Sequence, residues 1–110
     1  MSDDAGKPEW WRRATKLEAE DRLTEAEAVV KNAIPHLYFA HATADLYRER
    51  MIRKMKEGDK AGALEAFRQA KSFIYFMASL ATSGGEGAAL SGERDRFMSE
   101  LLGIYGSDPE

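Results

Sequence analysis

Two stretches of this chain read alike without a gap. Residues 20–34, EDRLTEAEAVVKNAI, align with residues 57–71, EGDKAGALEAFRQAK, at an offset of 37 residues. Ala26 falls on Ala63, Val30 on Phe67 and Ala33 on Ala70. Before each stretch stands an aromatic sixteen positions ahead of the first alanine, Trp10 before Ala26 and Tyr47 before Ala63; Ala14 corresponds to Met51. A small residue lets two helix axes approach closely, and a larger one a turn later fills the flanking gap. The doubled pattern therefore favours paired antiparallel helices, repeated along the chain.

The punctuation agrees. Pro8, Pro35 and Pro109 are the only prolines, and the remaining breakers cluster, which suggests four helical segments and a last C-terminal helix. The first runs from Pro8 to about Asp21, with Trp10, Ala14 and Leu17 on one face. In the second, Thr24 and Glu27 have the spacing of a capping box, and Pro35 ends the helix near Ala33. The third has no breaker until Gly58, its expected C-cap. Asp59 is the N-cap of the fourth, which continues to about Ala81, and Gly62 has no reading beyond tolerance near a helix start. TSGGEG at 82–87 reads as a loop, and Ser91 as the cap of a last helix with Phe97, Leu101 and Ile104 facing inward. No useful strand alternation is present. The expected class is all-α.

With 110 residues the chain is one domain, large enough to bury roughly two-thirds of its unfolded surface. Flexible ends are expected at 1–7 and 106–110, around a helical domain at 8–105. The absence of cysteine removes disulfides, thiolate nucleophiles and cysteine-bound zinc. The acidic start MSDDAGKPEW is unlike a secretory n-region, and the apolar run FIYFMASLA is far shorter than the roughly 20 residues of a membrane span. A soluble cytoplasmic protein without membrane contact is expected. The net charge of −3 provides no global attraction to nucleic acid.

These residues carry a resemblance to the tetratricopeptide repeat (TPR) family, whose pattern is W-x2-L-G-x2-Y…A-x3-F…P. The first unit, about 8–35, reads Trp10-x2-Arg13-Ala14-x2-Leu17…Ala26-x3-Val30; the second, about 44–72, reads Tyr47-x2-Arg50-Met51-x2-Lys54…Ala63-x3-Phe67. Residues 91–105 would cap the pair. Arg13 and Arg50 stand where the family has leucine, Met51 where it has glycine, and the offset exceeds the family's usual period of about 34 residues. The resemblance implies a fragment of a right-handed α–α superhelix, with a plain four-helix bundle as the alternative. It further implies a peptide groove lined by the first helix of each unit: Trp11, Thr15 and Glu18, then Arg48, Ile52 and Met55.

The remaining chemistry is sparse. His41 and Asp45 share a helix face while His36 points elsewhere, so the ligand count for a metal falls short and an ordinary His–Asp hydrogen bond is expected. Carboxylates alternate with Lys and Arg as on a solvated face, and no hydrolase elbow, P-loop or dinucleotide fingerprint occurs. Neither an enzyme nor a cofactor is expected. YRERMIRKMK at 47–56 carries Arg48, Arg50, Arg53, Lys54 and Lys56, which suit either the helix dipole or a nucleic-acid backbone. Trp11 should point about 100° away from an inward Trp10, as an interface anchor or against a neighbouring helix. Phe73, Ile74, Tyr75, Phe76 and Met77 are apolar around the whole helix. That excess is expected against the C-terminal helix or, preferentially, in a homodimer. The leading expectation is a non-catalytic module that binds a protein or peptide, with polyanion binding through 48–56 as the alternative.

Overall fold

The first two helices meet at an unusual backbone position. Asp21 adopts φ +62°, a left-handed conformation that asparagine and aspartate tolerate better than other side chains. Arg22 N–H donates to the Leu17 carbonyl and Asp21 N–H to the Glu18 carbonyl, both at 2.9 Å, closing the first helix as a Schellman turn. The same turn recurs 37 residues later around Gly58, at φ +77°. There Asp59 N–H donates to the Lys54 carbonyl at 2.9 Å and Gly58 N–H to the Met55 carbonyl at 3.1 Å.

The computed structural model describes residues 8–33, 37–80 and 87–106. Its helices are α1 Glu9–Ala19, α2 Leu23–Ala33, α3 Leu37–Lys56, α4 Lys60–Leu80 and α5 Gly87–Tyr105. The protein is all-α, and no strand occurs among the described residues. Of the expected ends at 1–7 and 106–110, residues 1–7 and 107–110 lie outside the described residues, as do residues 81–86, Pro35 and His36; Gly87, expected in the loop 82–87, belongs to α5.

Local chemistry explains most boundaries. Pro8 is the N-cap of α1, with φ −65° and ψ 157°. Asp59 Oδ1 accepts the Gly62 N–H at 2.9 Å, the expected cap of α4. A Cβ at Gly62 would meet Asp59 Oδ2 at 2.5 Å and Lys54 Cδ at 3.0 Å, so a larger residue there would have to displace these two side chains. Two expected caps differ. Helix α2 begins at Leu23, before Thr24, and Glu27 instead accepts the Tyr47 hydroxyl at 2.5 Å. Helix α5 begins at Gly87, about a turn before Ser91, so Ser91 lies inside it.

Helix α3 is buried on two sides. One stripe, Ala40, Ala44, Tyr47 and Met51, packs with Ala63, Ala66, Phe67, Ala70, Ile74 and Met77 of α4. Phe97, Met98 and Leu101 of α5 complete that core. The other stripe, Ala42 and Leu46, packs with Ala14 of α1 and Ala26 and Val30 of α2. Leu23 touches both cores. Phe67 is fully buried, tilted against Tyr105 with ring centroids 4.9 Å apart, and its burial contributes about 1.5–3 kcal/mol.

Three of the repeated pairs agree in burial. Ala14 and Met51, Ala26 and Ala63, Val30 and Phe67 are all inside. Ala33 is exposed whereas Ala70 is buried, because α2 has 11 residues and α4 has 21. The extra turns of α4 and the early turns of α3 form a surface that α5 covers. Contacts of His41 with Glu93 and of Arg48 with Glu100 show that α5 runs parallel to α3. Contacts of Arg94 with Tyr75 and of Tyr105 with Phe67 show that it runs antiparallel to α4.

Candidate interaction surface

The six expected groove residues fall into three different environments. Glu18 is buried, at 3% exposure. Its carboxylate accepts Arg50 Nη1 at 2.9 Å and Arg53 Nη2 at 2.5 Å, so it joins α1 to α3. Arg53 Nη2 also donates to the Glu18 carbonyl at 3.1 Å, near the C-terminus of α1 where the helix dipole favours a cation. The expectation that Glu18 lines an open groove is therefore corrected: a carboxylate can stay buried when charged donors meet both oxygens.

Asp21 extends this network at the surface. Its Oδ1 lies 3.2 Å from Arg53, 3.3 Å from Arg50 and 3.9 Å from Lys54. Hydrogen bonds from Arg53 and then Arg50, with the Lys54 charge, hold its carboxyl below the usual value of 3.8. The hydrogen bond to Glu18 raises the Arg53 guanidinium above its ordinary value, against the effect of burial. Burial first, and the Glu27 hydrogen bond second, push the Tyr47 phenol upward.

Arg48 is held differently. It lies 3.2 Å from Asp45 and 2.9 Å from Glu100 and sits over the Phe97 ring, 5.2 Å from its centroid. Beside it, a polar cavity of about 190 Å³ separates α3 from α5. His41 enters this cavity with Nδ1 3.2 Å from Asp45 and Nε2 3.9 Å from Glu93. The expected His41–Asp45 pair is present, and its hydrogen bond raises the His41 pKa above 6.5 against the effect of burial. Among the described residues, no group of three His, Cys, Asp or Glu is placed to hold a metal ion.

The open part of the surface is narrower than expected. Met55 is 40% exposed, and Ile52, Thr15 and Trp11 are half-buried. Thr15 Oγ1 donates to the Trp11 carbonyl of its own helix at 3.0 Å. Trp10 and Trp11 meet edge to face, with centroids 5.9 Å apart, and both pack on the Ala14–Val30 core. Of the two expectations for Trp11, interface anchor or packing on a neighbouring helix, the half-buried ring packs on that core and leaves part of its surface open.

The basic strip is largely internal to the fold. Arg48, Arg50, Arg53 and Lys54 all lie within 4 Å of carboxylates, while Lys56 is exposed. The expected dimer residues also divide. Ile74 and Met77 are fully buried with α5, and Phe73 is half-buried and stacked on Tyr47 at 5.8 Å. These three are corrected from interface to interior or core edge. Tyr75 and Phe76 are 46% and 44% exposed, and Arg94 lies 5.4 Å from the Tyr75 ring centroid.

Sequence reasoning missed the Glu18–Arg50–Arg53 cluster and the α5 carboxylates Glu93 and Glu100. A signal for the first was present: Arg50 stands at a position where the repeat pattern buries leucine, and a charge there requires a counter-ion. No protein-family model, curated protein or solved structure matches this chain. Nor does any helix of the described residues have the length and apolarity to cross a membrane.

Proposed function

We propose that the protein is a non-catalytic, cytoplasmic protein-interaction module built on two TPR-like helix pairs. The observation that carries this reading is the repeated hairpin. Asp21 and Gly58 make the same turn 37 residues apart, and Ala14, Ala26 and Val30 are buried like Met51, Ala63 and Phe67. Helix α5, parallel to α3 and antiparallel to α4, suits a cap on that pair. The partner surface is the exposed side of α1 and α3 around Trp11, Thr15, Ile52 and Met55. Aromatic, methionine and aliphatic groups there suit a protein or peptide partner. Pairing of the basic strip with carboxylates weighs against the polyanion reading.

The test is capture of partners by immobilised protein, with Met55→Glu and Phe76→Glu compared. The partner should be lost with Met55→Glu and kept with Phe76→Glu, both variants retaining the wild-type circular dichroism. Loss only with Phe76→Glu would move the surface to α4, and capture insensitive to Met55→Glu would defeat the reading. A salt titration with random duplex should find no binding at low ionic strength.

A further inference from the structure

We propose that His41 is a pH-sensitive latch that tightens the contact of α5 with α3 when its imidazole is protonated. The argument is geometric. His41 stands on α3 with one ring nitrogen toward a carboxylate of its own helix and the other toward a carboxylate of α5. Nδ1 is 3.2 Å from Asp45 and Nε2 is 3.9 Å from Glu93. Only the imidazolium carries an N–H on both nitrogens. Neutral imidazole keeps one N–H, which the nearer Asp45 retains, and then turns a lone pair toward the Glu93 carboxylate. Loss of one proton thus converts an attraction between helices into a repulsion.

The surroundings keep the contact poised. Arg48 and Asp45 face the cavity from α3; Glu93, Arg96 and Glu100 face it from α5. Among the described residues, α1, α2 and α4 contribute no charged group to its lining. Arg48 opposes protonation of His41, but Asp45 and Glu100 lie within 3.2 Å of its guanidinium. Arg96 lies 2.8 Å from Glu93 and partly neutralises it. The Phe97 ring, edge-on to His41 at 6.0 Å, closes one side of the site. Phe97, Met98 and Leu101 keep α5 on the core in either state, so loosening falls on the turns around Glu93.

The direction follows from the raised pKa of His41. The latch contributes fully below 6.5, the unfolded value, and is lost as pH rises through the higher folded value. Asp45 raises the pKa from within α3 whether or not α5 is docked, so only the part supplied by Glu93 acts on docking, at about tenfold in the docking constant per pKa unit.

The full chain tests this by two readouts. In an NMR titration, the His41 imidazole should have its midpoint above 6.5 and Glu93→Gln should lower it; a His36→Gln sample assigns the resonance. Amide exchange in α5, corrected for intrinsic rates, should lose protection between about pH 6 and pH 8. His41→Gln should abolish that pH dependence. Should this variant fail to fold, Glu93→Gln, at a 43% exposed side chain, supplies the comparison. A midpoint at or below 6.5, a midpoint unmoved by Glu93→Gln, or an unchanged α5 pH response in the variants would overturn the proposal.

Discussion

Helix α3 is held on its two sides by different chemistry. Toward α4 it presents Ala40, Ala44, Tyr47 and Met51, and the joint is closed by alanines with Phe67 between them. Toward α1 it presents Ala42 and Leu46, and the end of that joint is closed by Glu18 between Arg50 and Arg53. Length explains the contrast. Helices α3 and α4 have 20 and 21 residues, enough to bury a long apolar seam. Helices α1 and α2 have 11 each and leave less apolar surface for the joint, so charged hydrogen bonds supplement it. Apolar packing tolerates lateral adjustment, whereas the ion cluster specifies one register of α1 on α3.

The sharpest way to break this contrast is Ala63→Arg. Ala63 is 2% exposed, and the variant forces a charge into the α3–α4 joint, with an expected loss of about 4 kcal/mol or more. A thermal midpoint near wild type would disprove close packing there. Next comes Glu18→Ala, which leaves Arg50 and Arg53 without their buried partner. Both arginines retain some solvent and other carboxylates, so the expected loss by urea denaturation is about 2 kcal/mol. Joint replacement of Glu18 by Met and Arg53 by Leu should restore much of it, because well-packed apolar groups replace buried ion pairs at little cost. Failure to recover would mean that the cluster supplies stability and not only register.

Smaller effects compare the two turns. Gly58→Ala meets no atom within 4 Å, so its expected cost of about 1 kcal/mol is purely that of the left-handed backbone. Asp21→Gly relieves the same backbone position but removes the carboxylate facing Arg50, Arg53 and Lys54, and should be near neutral. A clear gain in stability would show that those exposed pairs contribute nothing. Asp21→Asn has the smallest effect at neutral pH. The lowered pKa of Asp21 means its contribution is present above 3.8 and is lost as pH falls through the folded value below it. Asp21→Asn should therefore flatten the acid limb of the stability curve, measured by urea denaturation at successive pH values.

Particular residues show how much was legible in advance. Gly58, Asp59 and the helices on either side could be read from local chemistry, because a left-handed C-cap and an N-cap involve neighbours within a few positions. Ala63 and Phe67 could be read because their spacing repeats. Gly62 could not: that the Asp59 and Lys54 side chains lie over it depends on how the turn folds. Local spacing cannot place Glu18 inside, because its partners are 32 and 35 residues away. For Ile74 and Met77 periodicity reports an apolar helix face but not whether a second copy or α5 covers it.

By itself the sequence determined that this chain forms helices, where several of them stop, and that two hairpins turn alike. Those properties depend on backbone conformation, capping and period, which act over one or two turns. Only the tertiary structure decided that Glu18 is interior, that Arg48 and His41 face α5, and that α5 covers Ile74 and Met77. Burial and charge pairing depend on which distant residues arrive at the same place, and arrival is set by how helices pack.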